Sequence, residues 1–144
     1  MTTDAVGKIR FVKLGEHQLP PPSRSTRGAA GYDLMSREKM TVWPGQRKLV
    51  PTGYGLEMSS EFEAQVRPRS GLALKHGVTV LNSPGTIDSD YKLEVGVVLI
   101  NHGEREFNIN IGDRVAQLVF SNVAYTEDLV EAAARDGGFG STGS

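Results

Sequence analysis

The chain has 144 residues, no cysteine, and 16 basic against 17 acidic side chains, which gives a net charge of −1. The length suits one domain, the lack of cysteine excludes disulfides, thiolate catalysis and zinc–thiolate sites, and the charge balance provides no field to attract a nucleic-acid polymer. The longest apolar run, 97–100, is far too short to span a membrane, and the N-terminal sequence lacks the pattern of a signal peptide. We therefore expect a single cytoplasmic domain over 1–144 that binds neither a membrane nor a nucleic-acid polymer.

Short segments with apolar residues at alternate positions, separated by turn residues, predict an all-β chain. In chain order the predicted strands are 8–14, 40–42, 46–50, 55–58, 63–67, 78–81, 94–100, 107–109 and 116–123. One short interior helix is predicted at 70–76, with Ser70 as its N-cap and Gly77 at its end. The expected architecture is a β-barrel or β-sandwich.

Two clusters in the first half of the chain carry groups suited to a phosphate site. The sequence GAAGYDL at 28–34 places Asp33 after small residues that permit close backbone approach, although a plain turn before a strand better explains the segment when it is taken alone. The sequence RPRSG at 67–71 places Arg69 and Ser70 at the start of the helix, where free N–H groups and the helix dipole favour an anion. An ordinary helix cap with solvated arginines is the alternative.

Two more clusters follow in the second half. The sequence LNSPGTIDSDYKLEVG at 81–96 places turn residues between two β-rich runs, which predicts a hairpin that projects Asp88, Asp90 and Tyr91 near its tip. Aspartate is also common in turns for conformational reasons alone. In GDRVAQLV at 112–119, Gln117 lies inside an apolar run and needs a hydrogen-bonding partner, either backbone or ligand.

The C-terminal residues 135–143 form a glycine-rich tail with one arginine and one aromatic residue. Such a tail offers N–H groups, hydroxyls, a guanidinium and a stacking ring for a nucleoside phosphate, whereas composition alone favours a solubilising terminus. The histidines, His17, His76 and His102, lack metal-ligand spacing and are expected at the surface. The remaining carboxylates, arginines and hydroxyls suit metal-assisted attack of water on a phosphate with an aspartate as general base.

In this order and at these distances, the five clusters resemble the homotrimeric dUTPase (dUTP pyrophosphatase) family, over nearly the whole chain from 28 to 143. The resemblance implies a jelly-roll-like β subunit with a core over about 1–126, a homotrimer whose active sites are shared between subunits, and a mobile tail at about 135–144 that closes over the site. It also implies Mg²⁺-dependent hydrolysis of dUTP to dUMP and pyrophosphate, which limits uracil in DNA and supplies dUMP for thymidylate synthesis. The alternative is a dUTPase-like regulatory protein that binds a partner protein, with nucleotide as a switch.

The resemblance also implies a role for each matching residue. Asp88 matches the base that activates water at the α-phosphorus, and Asp33 matches a carboxylate that contacts Mg²⁺ through water. Uracil and deoxyribose would contact Asn82, Gly85, Ile87, Tyr91, Gly96 and Phe139. The phosphates would contact Arg69, Ser70, Gly71, Gln117, Arg135, Gly140, Ser141 and Thr142. Leu93 stands where the family usually has glycine, which predicts either a strained positive φ or an altered turn.

Overall fold

The computed structural model describes residues 8–133 and confirms the all-β prediction, with one short helix among them. The strands are β1 (Ile9–Lys13), β2 (Tyr32–Met35), β3 (Met40–Val42), β4 (Arg47–Pro51), β5 (Tyr54–Met58), β6 (Phe62–Arg67), β7 (Val78–Val80), β8 (Gly85–Ile87), β9 (Gly96–Asn101), β10 (Phe107–Ile109) and β11 (Arg114–Asn122). The helix α1 (Ser70–His76) lies between β6 and β7. No helix in the part of the chain that the structure describes is long and apolar enough to cross a membrane.

Two larger antiparallel sheets enclose the core. One has the strand order β2-β11-β6-β8 and the other has the order β4-β9-β7, while β1-β5 and β10-β3 form pairs of their own. In β9 every second residue is buried, as expected for a strand with one face on a core. Buried residues of both larger sheets, among them Leu118, Val66, Val97 and Leu99, belong to one apolar cluster. This is the layered arrangement of a sandwich-like β fold.

Two strands, β2 and β8, are missing from the prediction. In β2 only Leu34 is fully buried, and β8 has only three residues. Their extended conformation depends on partners far along the chain, because β2 pairs with β11 and β8 pairs with β6. The predicted hairpin at 81–96 is therefore only partly right: β7 and β9 pair as expected, but β8 between them joins the other sheet.

The helix has the predicted bounds, but its first cap was assigned wrongly. Ser70 is the first helical residue rather than the N-cap, and the N-cap, Arg69, makes no capping hydrogen bond through its side chain. The prediction for the other end is confirmed, since Gly77 ends the helix with a φ of 68°. A Cβ there would lie 2.9 Å from the backbone nitrogen of Gly103, so both the conformation and the packing require glycine.

One histidine prediction is also wrong. His76 and His102 are exposed as expected, but His17 is half-buried. Its Nε2 lies 2.9 Å from the carbonyl oxygen of Gly53, and its Nδ1 accepts a hydrogen bond from the N–H of Leu19 at 3.1 Å. His17 therefore stabilises the turn between β4 and β5.

Candidate functional site

The segment after β7 encloses a small cavity, here called the hairpin cavity, of about 140 Å³. It forms because β8 pairs with β6 and the chain then turns back toward β9. Its lining residues are Val66, Asn82, Gly85, Thr86, Ile87, Tyr91, Val95 and Gly96. The structure thus brings together the described residues to which the family resemblance gives contacts with uracil and deoxyribose.

Two glycines line this cavity. A Cβ on Gly85 would lie 3.3 Å from Nδ2 of Asn82 and 3.4 Å from Cβ of Val66, which is a tight fit within the cavity wall. A Cβ on Gly96 would lie 2.6 Å from Cδ1 of Leu49, a residue outside the cavity lining. Leu49 is 65% exposed and its end can turn away, so this contact restricts the position only weakly.

Tyr91 is fixed to the far side of the hairpin cavity by its own loop. Its N–H donates to the carbonyl of Asp88 at 3.1 Å, which closes a turn, and its hydroxyl donates to the carbonyl of Glu94 at 2.8 Å. Among residues 8–133 only glycines have a positive φ, so Leu93 is not strained in the way that one of the two sequence alternatives required. Of those alternatives, the altered turn remains.

The carboxylate of Glu94, in the same loop, is held by three hydrogen bonds. It accepts hydrogen bonds from Nε and Nη2 of Arg37 at 2.7 and 3.1 Å, and from the N–H of Gly53 at 2.6 Å. These hydrogen bonds, led by those from Arg37, lower the pKa of Glu94 below its ordinary value. Sequence reasoning missed this pair, because the two residues are 57 positions apart and belong to no shared motif.

A second cavity, here called the polar cavity, has a volume of about 210 Å³. Asp33 on β2 and Gln117 on β11 are register partners, so both side chains lie on the same face of the four-stranded sheet. The start of α1 completes the lining. Its residues are Ser25, Asp33, Arg69, Ser70, Gly71 and Gln117. All the described residues to which the family resemblance gives contacts with phosphate or metal are therefore together in this cavity.

The polar cavity is braced mostly through backbone groups. Nε2 of Gln117 donates to the carbonyl of Pro68 at 3.0 Å, and Nη1 of Arg69 donates to the carbonyl of Arg114 at 3.3 Å. Nε of Arg114 lies 3.9 Å from Oδ2 of Asp33, whose side chain is 17% exposed. Of the two partners that the sequence left open for Gln117, a backbone group or a ligand, the structure shows the carbonyl of Pro68, and the Gln117 side chain also lines the cavity.

Ser25 is the lining residue that sequence reasoning missed. It belongs to the run 23–26, SRST, three hydroxyl residues and one arginine that precede the first cluster. The carbonyl of Ser23 accepts the N–H of Asp33 at 2.9 Å, and this bridge holds the run beside β2. The only sequence signal for a role of Ser25 is that these hydroxyl residues follow three prolines, and this pattern is a weak indication of a binding segment.

Asp88 lines neither of these two cavities. It is exposed directly after β8 and lines a third depression of about 360 Å³, here called the acidic groove. The groove is lined by Phe62, Glu63, Thr86, Asp88, Ser89, Asp90, Val123 and Tyr125. Thr86 lines the hairpin cavity as well, so Asp88 adjoins that cavity, but within one chain it does not line the polar cavity.

The remaining predicted site residues, Arg135, Phe139, Gly140, Ser141 and Thr142, lie outside the described residues. Their assignments to phosphate and uracil stay predictions.

Comparison with known proteins gives a consistent result. The dUTPase family model matches residues 17–143. A deoxyuridine 5'-triphosphate nucleotidohydrolase from Anaeromyxobacter sp. (strain Fw109-5) is 52% identical over 141 residues, covering 94% of this chain and 96% of the relative. A protein of the same name from Methylocella silvestris is 54% identical over 135 residues, covering 88% and 84%.

Solved structures agree with the fold. A dUTPase from Streptococcus mutans superposes with a TM-score of 0.77 at 28% identity, covering 82% of this chain and 98% of that one. A dUTPase from phage phi11 of S. aureus has a TM-score of 0.77 at 21% identity, covering 89% and 97%, and it supports the fold alone. Because the family model spans most of the chain and half of the residues are shared with relatives of nearly equal length, this chain belongs to the dUTPase family of nucleotide-hydrolysing enzymes.

Proposed function

We propose that this protein hydrolyses dUTP to dUMP and pyrophosphate, and so limits uracil in DNA while supplying dUMP for thymidylate synthesis. One observation carries the proposal: the residues assigned to base and sugar line one cavity, and those assigned to phosphate line another. Relatives at 52% and 54% identity are named for this reaction, which favours the enzyme over the regulatory alternative.

In the proposed reaction Asp88 is the general base. Its carboxylate takes a proton from a water molecule while the water oxygen bonds to the α-phosphorus. The bond from the α-phosphorus to the bridging oxygen of the β-phosphate breaks, and pyrophosphate leaves. An exposed carboxylate beside the hairpin cavity is accessible to water and near the place proposed for the nucleoside, as a general base must be.

The other residues bind and orient the substrate. Tyr91 packs under the deoxyribose at one wall of the hairpin cavity, and Asn82, Gly85, Ile87 and Gly96 surround the uracil. Arg69, Ser70, Gly71 and Gln117 bind the phosphates in the polar cavity. We further propose that Phe139 covers the uracil, and that Arg135, Gly140, Ser141 and Thr142 close over the phosphates. Positioning and charge neutralisation are the main contributions a protein makes to phosphoryl chemistry.

The polar cavity also fits a magnesium ion that keeps several of its waters. It offers one partly buried carboxylate, that of Asp33, together with hydroxyl oxygens of Ser25 and Ser70 and the amide oxygen of Gln117. Mg²⁺ prefers oxygen ligands and keeps waters when phosphates supply the remaining oxygens. We propose that Asp33 holds the ion through water, and the bound ion would neutralise charge on the triphosphate. In the phage phi11 dUTPase a structural Mg(II) ion has been described.

We propose that the complete site is shared between subunits of a homotrimer. Among the described residues, the hairpin cavity and the polar cavity share no lining residue, and Asp88 lines neither. A base and a triphosphate bound together need both sets of groups at once. Subunit contact is one way to join them, and Trp43, Leu49, Leu74 and Ile111 are large apolar side chains left exposed in the single chain.

The experiment that tests this function is pyrophosphate release from dUTP, dCTP, dTTP and UTP, with and without Mg²⁺. Wild type should release pyrophosphate from dUTP alone at an appreciable rate, and Asp88→Asn should lower turnover by about 10²–10⁴-fold with little change in dUTP affinity. Asp90→Asn is the matched control, because it removes the same charge from the same groove two residues away and should retain near wild-type turnover. Full turnover in Asp88→Asn, or an equal loss in both variants, would show that Asp88 is not the base.

A further inference from the structure

Glu94 is fixed on two sides. Three donors from two separate segments hold its carboxylate. Two belong to the guanidinium of Arg37, two residues after the end of β2, and the third is the N–H of Gly53 between β4 and β5. The side chains of Arg37 and Glu94 are 23% and 25% exposed, so the pair is partly shielded from water. A bidentate pair with this shielding holds both partners in one geometry.

The backbone beside Glu94 is fixed as well. The N–H of Val95 donates to the carbonyl of Tyr54 at 2.8 Å, and the Val95 carbonyl accepts the hydroxyl of Thr52 at 2.7 Å. Because the carboxylate and the following peptide are both held, the carbonyl of Glu94 has little freedom to move. That carbonyl is the acceptor for the hydroxyl of Tyr91.

Tyr91 depends on this acceptor for its position. Its side chain is 39% exposed and contributes one wall of the hairpin cavity, so packing restrains the ring only in part. The 2.8 Å hydrogen bond to Glu94 supplies the restraint at the far end of the ring. Neither Arg37 nor Glu94 lines the cavity, and any effect they have on a bound nucleotide must pass through the loop that carries Tyr91.

We propose that the Arg37–Glu94 ion pair is a positioning pair that fixes the Tyr91 ring and thereby sets how well the site rejects a ribose in favour of a deoxyribose. The inference rests on the proposed function, in which Tyr91 packs under the sugar. A ring that excludes a 2'-hydroxyl by steric clash works only if it does not move aside. A ring released from its acceptor can yield, and a compliant pocket discriminates poorly against one added hydroxyl.

The test compares kcat/KM for dUTP and for UTP in the full-length protein. Glu94→Gln keeps the size of the side chain and removes its charge, Arg37→Met removes the donors, and Tyr91→Phe removes only the hydroxyl. Each should lower the dUTP-to-UTP ratio by about tenfold or more, mainly through a faster reaction with UTP. The double variant Glu94→Gln/Tyr91→Phe should lose no more than the larger single loss, because both changes break the same link.

Glu38→Gln is the matched control. Glu38 lies 3.7 Å from Nη1 of Arg37, but its side chain is 53% exposed, and the hydrogen bonds to Gly53 and Tyr91 are made by Glu94. This variant should keep the wild-type ratio. A purely structural role for the pair would lower activity on both substrates alike and leave the ratio unchanged.

Two results would overturn the proposal. One is an unchanged dUTP-to-UTP ratio in both Glu94→Gln and Arg37→Met, and the other is an additive loss in the double variant. If wild type itself treats dUTP and UTP alike, the proposed function fails first and this inference fails with it. If wild type prefers dUTP and the variants prefer it to the same degree, the inference about the ion pair is overturned while the proposed function stands.

Discussion

Gly31 and Gln117 are in such close contact that one added methyl group should disturb the polar cavity. A Cβ built on Gly31 would lie 2.2 Å from Oε1 of Gln117 and 3.0 Å from its Cβ and Cδ. The amide end of the side chain can rotate away, but its Cβ cannot. Gly31→Ala is therefore expected to turn Gln117 away from the cavity and to break its 3.0 Å hydrogen bond to Pro68.

The size of the effect follows from these contacts. A lost hydrogen bond costs about 0.5–1.5 kcal/mol, and a side chain pushed off its rotamer costs a similar amount. The φ of Gly31 is not positive, so alanine adds no backbone strain there. We expect the free energy of unfolding to fall by about 1–3 kcal/mol, and KM for dUTP to rise about tenfold, because Gln117 would lose its proposed hydrogen bond to a charged phosphate.

Denaturant unfolding and steady-state kinetics on Gly31→Ala provide the measurement, with Gly28→Ala as the matched control. Gly28 belongs to the same cluster and its φ is not positive, but a Cβ there meets nothing within 4 Å. Gly28→Ala should therefore lower the free energy of unfolding by less than about 0.5 kcal/mol. In a Gln117→Ala background, the stability cost of Gly31→Ala should fall to less than half. Equal effects at the two glycines would refute the reasoning.

Two further predictions concern subunit sharing and acid stability. The Asp88→Asn and Arg69→Ala proteins should each be nearly inactive, and mixing their subunits should restore part of the dUTP turnover. A shared site can combine Asp88 from one subunit with Arg69 from another. If the subunits exchange and no turnover returns, the site is not shared. The pKa of Glu94 is lower in the folded state than its ordinary value of 4.5, so the ionised carboxylate stabilises the fold fully at pH values above 4.5. This contribution disappears as the pH falls through the lower pKa of the folded state. The difference in unfolding free energy between wild type and Glu94→Gln should therefore be largest above pH 4.5 and shrink below it, whereas a constant difference between pH 7 and pH 3 would rule out this ion pair as the cause.

Local pattern was enough to predict most strands and the helix. The predicted strands 40–42 and 107–109 have the observed bounds of β3 and β10, because alternating apolar residues and flanking turns specify them locally. The strand β8 could not be found in this way. It contains a glycine and only three residues, and its extended form comes from pairing with β6.

The candidate site likewise has a part that local sequence predicts and a part that it does not. Motifs identified most of the residues that line the two cavities, since each motif is a short continuous segment, but they did not single out Ser25, Val66, Thr86 or Val95. They gave no indication of what holds those residues in place. The ion pair of Arg37 with Glu94 and the contact of Gly31 with Gln117 join distant segments, so only the folded arrangement reveals them. Such supporting contacts decide geometry without any local signature.

Strand register supports the proposed division of the site between subunits. Asp33, Gln117 and Arg67 form one row across the four-stranded sheet, and Leu118, Val66 and Gly85 form part of the next. Neighbouring rows face opposite sides of a sheet. Leu118 and Val66 face the core side, so the polar cavity uses the other face. A nucleotide whose base occupies the hairpin cavity would have to pass around the edge strand β8 to bring its phosphates to Gln117 of the same chain. A second subunit can place its own polar cavity next to the hairpin cavity of the first, so the nucleotide need not pass around β8. One sheet can then contribute its two faces to two different sites.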